Sequence, residues 1–149
     1  MESLMRYIKR ISRCFTLYRG RQLEETGING YQHSYLLLIC DRPGISQEQL
    51  AERLYVNKSN VTRQLASLEQ GGFIRREADP VDRRQLRVYP TERAEALIPA
   101  IRRIIVDWND ELLAGLSDTE RKQLFALLRL MAQRAAERTG AKEGEKRKL

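Results

Sequence analysis

Histidine is almost missing: His33 is the only one in 149 residues. That count excludes a transition-metal centre built on several histidines. No serine or cysteine is arranged around His33 in a hydrolase motif. The two cysteines, Cys14 and Cys40, are too few for a disulfide framework, so a reducing, cytoplasmic location is expected. No apolar run approaches the roughly 18 residues of a membrane helix, and the N-terminus lacks the continuous apolar segment of a signal peptide. P-loop, GxGxxG, HExxH and CxxC motifs are absent, as are internal repeats. The expectation is one domain, no membrane, no cofactor and no metal, and little support for an enzyme.

Acidic excess is lacking too. The net charge of +7 favours an anionic partner such as nucleic acid. Its distribution weakens that argument, because residues 1–30 and 134–149 together supply +6 and leave +1 for residues 31–133. The case for nucleic acid must come from pattern.

The pattern lies in residues 46–90, which read as helix, turn, helix, strand, charged loop, strand. Ser46 and Gln49 form a capping box that opens a helix with Leu50, Ala51 and Leu54 on its apolar side. Tyr55, Val56 and Asn57 form a turn. Asn57 then caps a second helix that ends at Gly71 and Gly72. In that helix Val61, Leu65 and Leu68 share one face, and Ser59, Arg63, Ala66 and Gln70 share the other, flanked by Asn60 and Thr62. Small residues let a helix approach a major groove closely, and Asn, Thr and Arg meet base edges. An ordinary solvated face would look the same by itself.

The segment after this helix separates the two. Residues 73–77 and 86–89 are short β-rich runs, joined by a turn-forming loop with Arg83 and Arg84 at its tip. A hairpin holding two guanidiniums beside a recognition helix suits a narrow, electronegative minor groove. Asp82 is expected to hold one of those arginines by a bidentate pair.

The pattern of Thr62, Leu65, Leu68, Gly72-Phe73-Ile74, Arg76, Asp79-Pro80, Asp82-Arg83-Arg84 and Thr91-Glu92 resembles the MarR family of bacterial transcriptional regulators. The likeness extends from about residue 5 to residue 136 and is most specific between Thr62 and Arg84. Pro90, where the family usually has an aliphatic residue, and Ala94, where glycine is common, depart from it. The resemblance implies a mainly α fold: a winged helix-turn-helix with a two-stranded β-wing, and N- and C-terminal dimerisation helices. It further implies an obligate homodimer on a pseudo-palindromic operator. Such proteins usually repress genes and leave DNA on binding a small phenolic or lipophilic ligand, or on cysteine oxidation. On this reading Ser59, Asn60, Thr62 and Arg63 face the major groove. Lys58 neutralises phosphate, and Arg83 and Arg84 act from the wing.

The flanking regions fit that plan. Residues 1–30 and 92–138 are expected to dimerise the chain, residues 31–91 to bind DNA, and residues 139–149 to be a disordered tail. Leu4, Ile8, Ile11, Phe15 and Tyr18 space as one packing seam on a first helix over residues 4–26. Asn29 and Gln32 resemble a second capping box, ahead of a buried run through Cys40. Thr91 is expected to cap a long helix to about Ala114, kinked or disturbed by Pro99. Ser117 and Glu120 make a third box, ahead of Leu124, Leu127, Leu128 and Met131. An effector pocket is expected where the first, second and fifth helices meet the winged module, with Arg13, Tyr18, His33 and Tyr35 in its wall. Cys14 opens a redox alternative with Tyr18, Tyr31 and Tyr35 as partners. The short stretch from Cys14 to the second helix argues against it, and small buried core cysteines are expected at both positions. A winged-helix protein-interaction module and a small-molecule carrier or enzyme built on the dimer cavity remain as other classes.

Overall fold

The computed structural model describes residues 3–141. Its order is α1 (Leu4–Leu23), a 3-10 turn (Glu24–Thr26), α2 (His33–Asp41), β1 (Ile45–Ser46), α3 (Gln47–Leu54), α4 (Lys58–Gln70), β2 (Ile74–Ala78), β3 (Leu86–Pro90), α5 (Glu92–Leu112) and α6 (Asp118–Thr139). The fold is mainly α with a small antiparallel sheet, as expected. The expected tail falls largely outside the described residues. No described helix is long and apolar enough to cross a membrane.

Local chemistry explains most boundaries. Ser46 Oγ accepts the Gln49 N–H at 3.1 Å and Gln49 Oε1 accepts the Ser46 N–H at 3.2 Å, closing the box at the start of α3. Asn57 Oδ1 accepts the Asn60 N–H at 2.8 Å and starts α4. That helix ends in a Schellman turn, with the Phe73 N–H on the Leu68 carbonyl at 2.9 Å and Gly72 at φ +76°. The Ser117–Glu120 box opens α6. Asn29 and Gln32 also bond reciprocally, one turn ahead of α2.

Two expectations need correction, and the α1 seam divides within one chain. The wing hairpin gains a third strand: β1 pairs with β3 through Ile45↔Val88 and Ser46↔Arg87, giving the order β1-β3-β2. Thr91 makes no side-chain cap; its hydroxyl donates to the Gly72 carbonyl at 2.7 Å. The seam on α1 splits, because Leu4, Ile8 and Ile11 are exposed while Phe15 and Tyr18 turn onto Trp108 of α5. The two residues that depart from the family pattern are accommodated. Pro90 ends β3 beyond the last β1 pair, and Ala94 is fully buried in the first turns of α5. Helix α5 continues through Pro99.

The core lies inside the winged module. Val61, Leu65 and Leu68 of α4 meet Leu50 of α3, Leu36 and Ile39 of α2, Val88 of β3, and Ile98 and Ile101 of α5. Each large side chain so buried contributes about 1.5–3 kcal/mol.

Candidate nucleic-acid interface

Helix α4 turns its apolar stripe inward, so the remaining positions must face out. Lys58, Ser59, Thr62 and Arg63 are exposed and Asn60 is half-buried. Several of these groups are already oriented. The Ser59 hydroxyl donates to Asn57 Oδ1 at 2.8 Å, and the Thr62 hydroxyl to the Lys58 carbonyl at 3.0 Å. Lys58 Nζ stands 3.9 Å from Glu48 on a solvated surface, an arrangement worth little by itself.

The wing is held from its base. Asp79 is 5% exposed. Its Oδ1 accepts the Val81 and Asp82 N–H groups at 2.8 and 3.1 Å, and its Oδ2 accepts Arg87 Nε. Those two N–H donors, Asp82 first, and then the Arg87 guanidinium hold the Asp79 carboxyl below its usual range. Arg87 Nη1 continues to the Gly44 carbonyl at 3.0 Å and so ties the wing to the turn before β1. The expected carboxylate was Asp82. Its Oδ1 instead accepts the Arg84 N–H at 3.1 Å, within the loop. Asp79 is the better placed acid because a side chain at the head of a turn reaches the amides two and three residues ahead.

Wing and helix therefore share one concavity. An open groove of about 250 Å³ is lined by Lys58, Val61 and Thr62 of α4, by Arg84, Gln85 and Leu86 of the wing, and by Ser46, Gln47 and Glu48 where α3 begins. Asn60 and Arg63 border a second concavity, of about 370 Å³, with Tyr31, Ser34 and Tyr35 of the preceding segment. Arg83 and Ser59 border neither; Arg83 is exposed at the wing tip. Pattern reading missed the clamps behind this surface. Arg76 of β2 donates to Glu69 of α4 at 2.6 and 2.9 Å and to Gln47 Oε1 at 3.4 Å. Arg93 of α5 stacks on Phe73, 4.4 Å from the ring centre, and donates to the Gly71 carbonyl at 2.6 Å. The bonds from Arg76 to Gln47 and from Arg93 to Gly71 span 29 and 22 positions, which composition and periodicity do not reveal.

The residues proposed for an effector pocket do not converge. Tyr18 and His33 join one aromatic cluster: Tyr18 lies 5.2 Å from Trp108, and His33 meets Phe15 edge-on at 6.2 Å, with Phe15 stacked on Trp108 at 5.3 Å. His33 Nδ1 lies 3.1 Å from the Gly30 carbonyl, which only accepts, so this nitrogen carries the hydrogen. The cation beside this cluster is Arg19, buried, 4.0 Å from the Phe15 ring centre and bonded to Gly30. Burial lowers its pKa. Arg13 is exposed, about 200° around α1 from Phe15. Tyr35 is buried, with its hydroxyl on Asn60 Oδ1 of α4. Of the two cysteines, only Cys40 resembles the expected core residue: burial, with Glu95 adding and Arg102 opposing, pushes its thiol up to about 11. Cys14 is exposed on α1, contrary to expectation.

This geometry has close parallels. The MarR family model matches residues 28–86. The HTH-type transcriptional regulator BilQ of Clostridium symbiosum is 30% identical, over 89% of this chain and 93% of its own. The crystal structure of the transcriptional regulator SlyA superimposes with a TM-score of 0.87 at 32% identity, covering 91% of this chain and 96% of that one. A MarR family regulator from Listeria monocytogenes, solved with a 26mer DNA, gives a TM-score of 0.84 at 25% identity over 97% and 99% of the two chains. The chain belongs to the MarR family of transcriptional regulators and is not an enzyme.

Proposed function

We propose that the chain acts in the cytoplasm as a homodimeric repressor that binds a pseudo-palindromic operator. Lys58, Ser59, Asn60, Thr62 and Arg63 lie along the major groove, and Arg83 and Arg84 reach the adjoining minor groove. The observation that carries this reading is the groove that Lys58 and Thr62 of α4 line together with Arg84 of the wing. The solved relative on a 26mer DNA supports it. Dimerisation is supported by α6, in which no side chain is buried, and by the exposed Leu4, Ile8 and Ile11 of α1. Release by a small phenolic or lipophilic ligand is supported by the Phe15, Tyr18, His33 and Trp108 cluster beside the Arg19 cation. Such a set offers an apolar wall and one positive charge.

The test is DNA affinity of the full chain over a range of salt. A dimer that neutralises phosphates shows a steep linear fall of log affinity with log salt, about 0.9 per phosphate contacted. Arg84→Ala, present twice in the dimer, flattens that slope by about two while keeping sequence preference. Arg63→Ala weakens operator binding by about 1–3 kcal/mol and relaxes sequence preference. A flat salt response, or two variants that bind as wild type does, overturns the assignment.

A further inference from the structure

We propose that Tyr35 sets the base preference of the recognition helix by holding the Asn60 carboxamide in one orientation, its oxygen toward Tyr35, so that Asn60 offers the major groove its N–H donors. This rests on the reading above, in which Asn60 faces DNA. Tyr35 is 3% exposed, and its hydroxyl donates to Asn60 Oδ1 at 2.6 Å from 25 positions earlier in the chain. A phenol has one hydrogen to give. Were the carboxamide flipped, its NH2 would meet the phenol oxygen, and that hydrogen would lose its acceptor at a partly buried site. Burial raises the Tyr35 pKa, with the Arg63 charge opposing, so the hydroxyl keeps its hydrogen at neutral pH.

The backbone of Asn60 is anchored as well, since its N–H is bound to Asn57 Oδ1 at 2.8 Å. Side-chain orientation and helix start are thus set together. An unrestrained asparagine pairs with adenine through both of its ends, the oxygen on N6 and the nitrogen on N7. Here one lone pair of the oxygen is taken by Tyr35 and the oxygen is held toward that residue, which disfavours the two-ended pairing. Guanine, with N7 and O6 both acceptors, matches the NH2 that remains. Tyr35 is therefore a positioning residue: it touches no base and acts through Asn60.

The experiment is selection from randomised duplexes by the full-length protein, as wild type, Tyr35→Phe and Asn60→Ala, with circular dichroism on each. Wild type is expected to prefer guanine over adenine roughly tenfold at one position of each half-site. Asn60→Ala flattens that position. Tyr35→Phe frees the carboxamide and admits adenine there nearly as well as guanine, leaving the other positions unchanged. A Tyr35 with only a structural role lowers affinity for all sequences alike and leaves the base ratio as it was; that result overturns the proposal. So does wild-type preference for adenine at the Asn60 position. A position flattened by Asn60→Ala but identical in wild type and Tyr35→Phe overturns the role of Tyr35 and leaves Asn60 on DNA. If Asn60→Ala changes no position, the placement of Asn60 fails, and the role of Tyr35 with it.

Discussion

In α4 the apolar residues Val61, Leu65 and Leu68 are at most 1% exposed, whereas in α6 Phe125, Leu127, Leu128 and Leu130 are 40–59% exposed. Both helices open on a side-chain cap, and both carry large apolar side chains that need a partner. The first finds its partners in α2, α3, α5 and the sheet of the same chain. The second touches its own chain mainly at its start, where Arg121 donates to the carbonyls of Leu113 and Leu116 at 3.1 and 3.2 Å. One region finishes its packing within the chain, and the other presents a face for something else to cover. Burial in a monomer thus separates residues that hold the fold from residues available for assembly.

The sharpest way to break this comparison is a matched pair of substitutions. Leu65→Ala empties a fully buried site in the module and is expected to cost about 2–5 kcal/mol in unfolding experiments. Leu127→Asp lies on the open face of α6 and is expected to cost little within one chain. Its effect should appear as dissociation of the homodimer in sedimentation at micromolar concentration, accompanied by loss of operator binding. A stable, folded wild-type monomer at that concentration, or a Leu127→Asp protein that remains a dimer, contradicts the assignment of α6 to assembly.

The wing offers a second contrast, between a loop held by its base and the exposed guanidiniums at its tip. The Asp79 carboxyl is held below its usual range by the Asp82 and Val81 N–H groups and by Arg87. A carboxyl depressed on folding contributes stability that is fully present above its unfolded value, near 4, and is lost as pH falls through the folded value. The order of the wing should therefore hold constant from neutral pH down to about 5 and decline in stronger acid. Amide protection of Val81 and Asp82 measured against pH by nuclear magnetic resonance reads this directly. Asp79→Asn should expose Arg83 and Arg84 to faster tryptic cleavage at neutral pH. Unchanged cleavage would place the anchor of the wing elsewhere.

Legibility in the sequence tracked contact distance. The caps at Ser46, Asn57 and Ser117 were readable because cap and partner lie three residues apart. The inward stripe of α4 was readable from its period. Strand β1 was not, since its two residues have no pattern of their own and exist through pairing with Arg87 and Val88 some forty positions later. The same holds for the bond from Arg76 to Gln47 and for the bond from Tyr35 to Asn60. Asp82 was the acid expected to hold a wing arginine, and turn geometry instead makes Asp79 the anchor. The expected effector residues failed to converge because helix faces were assigned without the crossing of α1 over α5, which draws Phe15 and Tyr18 together at Trp108.

The smallest expected effect concerns the turn between α3 and α4, where the module departs from local preference. Tyr55 sits at φ +56°, the only described non-glycine residue with positive φ, and the residue is 57% exposed. The left-handed conformation costs a residue with a Cβ about 1–2 kcal/mol, because that atom crowds the following carbonyl. Glycine removes the crowding but adds freedom to the unfolded chain, which returns about 0.5–1 kcal/mol. Tyr55 buries less than half of its surface, so little packing is lost with its ring. Tyr55→Gly is therefore expected to stabilise the fold by up to about 1 kcal/mol, a rise of roughly 2–4 °C in Tm at the upper end for a chain of this size. Tyr55→Ala isolates the cause: it removes the same ring, keeps the Cβ and so keeps the strain, and should be no more stable than wild type. Thermal unfolding of the three proteins at one concentration settles the matter. If alanine and glycine shift Tm equally, the ring and not the backbone governs this turn, and the strain assigned to Tyr55 is absent.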